Sequence, residues 1–204
     1  MSRTGYHHGD LRRSLLSNAR DLIEAKGVQA LSLRAVARLA GVSHTAPYRH
    51  FPDKAALLAT LAEDAFVRLQ NHLRKHTGEE HPPLEALRNL ASAYVSFAQQ
   101  HAADFRVMFG PEAADKSAYP GLSKAAEEAF DVVRQAIVRG QEGQVVRRGD
   151  PTELALVAWS LGHGLAVLVV NQQLPPGTPP GIEELADRTA AALYAGLQPA
   201  RPRL

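Results

Sequence analysis

Residues 31–54, LSLRAVARLAGVSHTAPYRHFPDK, are two very short amphipathic segments separated by Gly41. Helices this short are marginal in water on their own, so the remainder of the chain must act as their scaffold. In the first segment Ser32 is placed as an N-cap. Leu33, Val36, Ala37 and Ala40 follow at helical spacing, and Gly41 supplies the left-handed residue that ends about two turns of helix. The second segment is expected to start at Ser43, again a capping hydroxyl, and to run through HTAPYRHF to a stop at Pro52. Its buried edge is expected at Val42, Pro47 and Phe51, which leaves His44, Thr45, Tyr48 and Arg49 facing outward, with His50 at the end. Pro47 then stands fourth in the helix and removes one backbone hydrogen bond.

Hydrogen-bonding and cationic side chains on an exposed, glycine-turned second helix form the surface that a helix-turn-helix inserts into a major groove. Side chains near the helix N-terminus reach base edges and the flanks hold phosphate. The run from Leu33 through Gly41-Val42-Ser43 to Tyr48, Phe51 and Lys54 resembles the N-terminal domain of TetR-type transcriptional regulators. The resemblance implies that Ala37 and Gly41 let the two helices cross closely. It further implies phosphate contacts at Tyr48, His50 and Lys54 and base contacts from the early recognition-helix residues. The candidate DNA-binding set is Arg34, Ser43, His44, Thr45, Tyr48, Arg49, His50 and Lys54. The chain departs from the family at Pro47, where a leucine or similar apolar residue is usual, and this bears on the tilt of the recognition helix.

Charge is distributed to match. The net charge is only +2, but up to Lys54 nine basic residues stand against four acidic ones, leaving 14 basic and 17 acidic beyond it. A cationic head on a mildly anionic body implies that only the head meets a polyanion. There is no cysteine, which excludes disulfides, thiol nucleophiles and cysteine metal sites. The N-terminus lacks the apolar core of a secretory signal, so the expected compartment is the cytoplasm.

Residues 1–8 read as an arm holding Arg3, His7 and His8, either a minor-groove arm or a plain disordered terminus. Asp10 is a candidate cap for a first helix with a Leu11, Leu15, Ala19, Leu22, Ile23 stripe, ended by Gly27. YHHGDLR at its start resembles the lead-in of one TetR subgroup. A fourth helix starts at Pro52-Asp53-Lys54 and reaches about His76, a natural lever between head and body. His72, His76 and His81 have a formal metal-ligand spacing, but no carboxylate completes a site, so they read as a solvated helix end and no metal is expected. Further helices are expected over 84–100, 102–109, 122–139 and 182–197.

Between the last two of these, TELALVAWSLGHGLAVLVVNQQL is apolar nearly all round and must be covered on every side. Its apolar run, 154–170, is interrupted by Ser160, Gly162, His163 and Gly164 and falls short of the ~20 residues of a bilayer span, so no membrane partner is expected. The simplest cover is a second copy. The expected homodimer pairs this helix and the last one with their twofold mates, and Leu161, Leu165, Leu168, Leu185 and Leu193 are the interface candidates. Trp159, His163 and Gly164 spell W-x-x-x-H-G, similar to the WHG-type C-terminal domain of some TetR-like regulators. His163 is either a satisfied core histidine or the wall of a ligand cavity.

The expected architecture is therefore all-α, about nine helices. A helix-turn-helix DNA-binding domain occupies 1–54 and a helical effector-binding and dimerisation domain 55–204. The expected function is a homodimeric repressor, released from a palindromic operator in double-stranded DNA by a small, hydrophobic or aromatic molecule. Effector-pocket candidates are Phe97, Phe105, Met108, Phe109, Phe130, Trp159 and His163, positions that could equally fill a core. The alternative is a ligand-independent DNA-binding or architectural protein. No paired carboxylates in an apolar context, G-x-S-x-G, glycine-rich phosphate loop or H-E-x-x-H occurs, so no enzyme and no cofactor are expected.

Overall fold

The computed structural model describes residues 8–198 other than 79, 114, 179 and 180; the proposed arm with Arg3 and His7 lies outside them. Among the described residues the chain is all helical: α1 His8–Lys26, α2 Leu33–Leu39, α3 Lys54–Thr77, α4 Pro83–Gln100, α5 Ala102–Phe109, α6 Pro120–Glu142, α7 Pro151–Val170 and α8 Ile182–Leu197. Three short 3-10 turns cover Val28–Ala30, Ala46–Arg49 and Lys116–Ala118. The first helix starts two residues before Asp10, which lies inside it and does not precede it.

The helices fall into two compact units. One comprises Met1–Ala65 with Ala102–Ser123, the other Phe66–His101 with Lys124–Leu204. In the first unit α1 buries Leu15, Leu16, Ala19, Leu22 and Ile23, and packs on α2 and α5. Gly27 (φ 79°) ends α1, and Gly41 (φ 66°) ends the turn after α2, both in the left-handed region that favours glycine. Asp53 begins α3 by accepting the Ala56 N–H at 2.8 Å. A non-local ion pair joins elements of this unit: the Arg20 guanidinium is 2.8 Å from Asp64 on α3 and 3.6 Å from Asp104 on α5. Asp104 is only 5% exposed.

In the second unit α4 packs against α7 and α8, and those two pack on each other. Phe66, Leu69, Leu73, Phe97, Ile137, Leu154 and Ala166 form its core. The Arg139 guanidinium donates to the carbonyls of Thr77 and Gly78, satisfying groups that the end of α3 leaves without helical partners. Asp150 caps α7 by accepting the Thr152 N–H at 2.7 Å. By length and composition α7 could cross a membrane, with a mean hydropathy of 1.8 over its most apolar stretch. It starts at Pro151 and ends at Val170, so the last four residues of the expected stretch, 171–174, lie outside it. Here one side of it lies on α4 and α8, burying Leu154, Ala155, Ala158, Gly162, Leu165 and Ala166.

Candidate nucleic-acid interface

The first half of the expected motif forms as its sequence dictates. Ser32 is extended (φ −149°, ψ 152°) and its hydroxyl accepts the Ala35 N–H at 3.1 Å, an N-cap on α2. Leu33, Val36 and Ala37 are buried beneath α2, while Arg34 and Arg38 are exposed.

The second half differs from expectation. No α-helix runs from Ser43: the recognition segment is one turn of 3-10 helix, Ala46–Arg49. Ser43 does not cap it; its hydroxyl lies 3.1 Å from the Thr45 hydroxyl, and Thr45 at the N-cap makes no side-chain cap bond. Most of the backbone bonds run three residues back, Ala46 N–H to Ser43 O (3.0 Å), Tyr48 N–H to Thr45 O (3.3 Å) and His50 N–H to Pro47 O (2.9 Å), and the turn closes on one four-residue bond, Phe51 N–H to Pro47 O (2.9 Å). The physical reason is Pro47, which has no N–H with which to close an α-helical bond to Ser43 and whose ring would clash with the Ser43 carbonyl in an α-helix started there.

Pro47 and Phe51 are buried and seat the turn; Val42 is only half-buried, short of the expected burial. His44, Thr45, Tyr48 and Arg49 are exposed, Tyr48 at 50%. His50 is less open than expected: it is half-buried, and its Nε2 is enclosed with no hydrogen-bond partner. Lys54 is half-buried and its ammonium donates to the Val28 carbonyl at 3.2 Å, which fixes the start of α3 against the turn before α2. Two further donor positions of that ammonium can still serve a phosphate. The Arg12 guanidinium lies 5.7 Å from the centre of the Phe51 ring. Four polar side chains thus stand open around one turn, with Arg34 and Arg38 on the adjoining helix.

Residues 15–61, which span this arrangement, match the family described as bacterial regulatory proteins, tetR family. Residues 87–193, over half of the chain, match the tetracyclin repressor-like C-terminal domain. The chain belongs to the TetR family. A Rhodococcus sp. RHA1 protein of unknown function is 37% identical and superposes with a TM-score of 0.83, covering 96% of this chain and 99% of that one. The TetR family transcriptional regulator PfmR from Thermus thermophilus shares the fold, with a TM-score of 0.69 at 23% identity over 90% of this chain and 98% of its own. Nucleoid occlusion factor SlmA of Vibrio vulnificus is 29% identical over 107 residues, 52% of this chain and 55% of that protein. SlmA of Vibrio cholerae is 27% identical over 100 residues, 48% and 51%. The chain thus spans about half the length of the curated relatives it matches.

In this TetR-family chain the residues singled out in the body divide between the two units. Phe105, Met108 and Phe109 lie on α5 in the first unit, and Phe105 packs on Phe109 with ring centres 5.0 Å apart. Phe97, 1% exposed, stacks near His72 and His101. Three of the seven do come together. The Trp159 and Phe130 ring centres are 5.0 Å apart, and His163 stands one turn beyond Trp159 on α7. The partner of His163 is Tyr94 on α4, whose hydroxyl lies 2.9 Å from His163 Nδ1. Burial pushes the Tyr94 phenol well above its ordinary pKa, opposed by its contact with Trp159, so it is the neutral hydroxyl that pairs with the imidazole.

A cavity of about 20 Å³, room for one water, lies between Tyr94, Leu90, Trp159, Gly162 and Leu193. A separate open depression of about 390 Å³ is lined by Phe130, Leu156, Trp159, Ser160 and His163. Apart from the neighbouring backbone of α7 itself, nothing in the protomer lies within 4 Å of where a Cβ would stand on Gly162 or Gly164.

Of the interface candidates, Leu161 and Leu168 are exposed, Leu185 and Leu193 are half-buried, and Leu165 is turned into its own protomer. Leu156 (59% exposed) and Val157 (53%), which the sequence did not single out, extend the open face of α7. They were hidden because a helix that is apolar all round has no polar side to mark its outward face.

Proposed function

We propose that this TetR-family regulator acts as a homodimeric repressor, bound to a palindromic operator in double-stranded DNA and released by a small hydrophobic or aromatic molecule. The observation that carries the reading is the open edge of His44, Thr45, Tyr48 and Arg49 on a turn seated by buried Pro47 and Phe51. Thr45 and His44 are assigned to base edges; Tyr48, Lys54 and Arg34 to phosphates, with Ser43 and His50 at the margins. The functional boundary is placed at 54/55, where α3 starts as the lever from head to body. The open face of α7, with Leu156, Val157, Leu161 and Leu168, is assigned to the twofold mate, together with α8. The effector is assigned to the aromatic group of Phe130, Trp159 and His163 beside it, and would act by favouring a head spacing that no longer matches the groove. A cytoplasmic location follows from that role.

The experiment compares variants on one selected operator and on scrambled DNA. Tyr48→Ala and Lys54→Ala are expected to weaken binding evenly across sequences, and Lys54→Ala to lower the slope of log affinity against log salt by about two, one for each head. Thr45→Ala is expected to change sequence preference. Equal operator affinity for Tyr48→Ala would overturn the phosphate assignment.

The likeness to nucleoid occlusion factors favours a second reading, a DNA-binding protein with no effector. Fluorescence of the single tryptophan, Trp159, separates the two: it responds to aromatic ligands in the first and to none in the second.

A further inference from the structure

Pro47 does more than replace a buried apolar residue, because it decides which helical spiral presents the DNA-facing side chains. The segment winds as a 3-10 helix, about 120° per residue, where an α-helix would wind about 100°. Thr45 is already in the right-handed helical region (φ −90°, ψ −18°), so it belongs to the spiral, and the Tyr48 N–H bonds to its carbonyl. Three residues at about 120° bring Tyr48 back in line with Thr45. Arg49, four residues on, then stands about 120° away from that line, stacked over half-buried Ala46. In an α-helix the same Arg49 would stand only about 40° from Thr45, on the face that enters the groove.

The consequence is a division of labour. An arginine on the reading face would present its fork to guanine O6 and N7, the commonest specific contact in the major groove. An arginine turned about 120° aside meets the backbone wall, where it adds affinity and no sequence information. From His44 to Arg49 the turn rises about 10 Å at about 2 Å per residue, the length of about three base pairs.

We propose that Pro47 is the specificity-determining residue of this head: by keeping an α-helix from starting at Ser43 it holds the turn in 3-10 form, with Arg49 rotated away from the base-reading side chains Thr45 and His44, as a phosphate anchor. Pro47 acts through the turn and touches no base, so it is a positioning residue. The inference rests on the DNA-binding role of the head.

Enrichment of bound sequences from a random duplex pool is the test, run on the full-length wild type, R49A, P47L, P47A and P47L/R49A. The wild type and R49A are expected to enrich the same motif, with R49A weaker on every sequence and its salt slope lower by about two, one for each head. P47L and P47A restore the N–H at position 47, and at least one is expected to gain a guanine preference at one position of each half-site. That preference is expected to disappear in P47L/R49A. A wild-type motif that R49A alters overturns the proposal even if neither position-47 variant folds. P47L and P47A proteins that fold, by circular dichroism, and enrich the wild-type motif unchanged also overturn it. A wild type that enriches no motif overturns the DNA-reading role itself, and the proposal with it.

Discussion

Leu161→Glu puts a charge on the open face of α7 at a site where a lone protomer would tolerate it. Leu161 is 41% exposed in its own chain, and surface substitutions of this kind usually change protomer stability by no more than about 0.5 kcal/mol. The cost changes when a twofold mate covers the face. Fully burying a leucine contributes about 1.5–3 kcal/mol, so covering the open share is worth about 1 kcal/mol per copy. A glutamate there also carries a carboxylate into a seam of Leu156, Val157 and Leu168, at several kcal/mol per ion even after relaxation. Because the axis brings two copies together, the dimer is expected to lose at least about 4 kcal/mol, about a thousandfold in its dissociation constant. Sedimentation velocity over a concentration series reads this directly, with circular dichroism confirming that the helices persist. A variant whose dissociation constant stays within about tenfold of the wild type's would refute the assignment of α7 to the interface.

Two other variants test local physics. Ser32→Ala removes the acceptor for the Ala35 N–H and is expected to cost about 1 kcal/mol, a drop of about 2–4 °C in Tm, with DNA affinity falling alongside. His72 is held below its ordinary pKa of 6.5 by burial first, then by His76 and His101, while a backbone hydrogen bond near Ala93 opposes the shift. On acidification the unfolded chain therefore takes up this proton before the folded one does, so stability is full above about 6.5 and falls as pH drops below it. Thermal melts of His72→Gln across pH 5–8 are expected to show a shallower decline than the wild type; an unchanged slope would remove His72 as its cause.

Features governed by a few neighbouring residues are legible in the sequence. The Ser32 cap, the Gly27 and Gly41 stops and the α1 stripe from Leu15 to Ile23 depend only on local spacing, and they form as expected, while Leu11 at the head of that stripe is only half-buried. The recognition segment differs in kind, because Pro47 has no N–H for an α-helical bond to Ser43, and the helical turn begins two residues later, with Thr45 at its N-cap and Pro47 in its first turn, where no such bond is needed. Pairings between distant elements are not legible. Nothing in the local pattern around Asp104 shows that α5 joins the head unit beside Arg20, so by sequence alone Phe105, Met108 and Phe109 group with aromatics of the body. Tyr94 likewise reads as one more apolar position on α4, and its partner His163 lies 69 residues away. Lys54 and His50 carry the right chemistry, but only the fold reveals that one is tethered to Val28 and the other half-enclosed.

The decisive measurement is the sequence that the unmodified protein enriches from a random pool of duplex DNA. Two heads on a twofold axis, each presenting the Tyr48 edge, are expected to select an inverted repeat whose half-site centres lie about 34–36 Å, or a multiple of that, apart. A single unrepeated motif, or no enrichment over the starting pool, would contradict a paired, sequence-reading head.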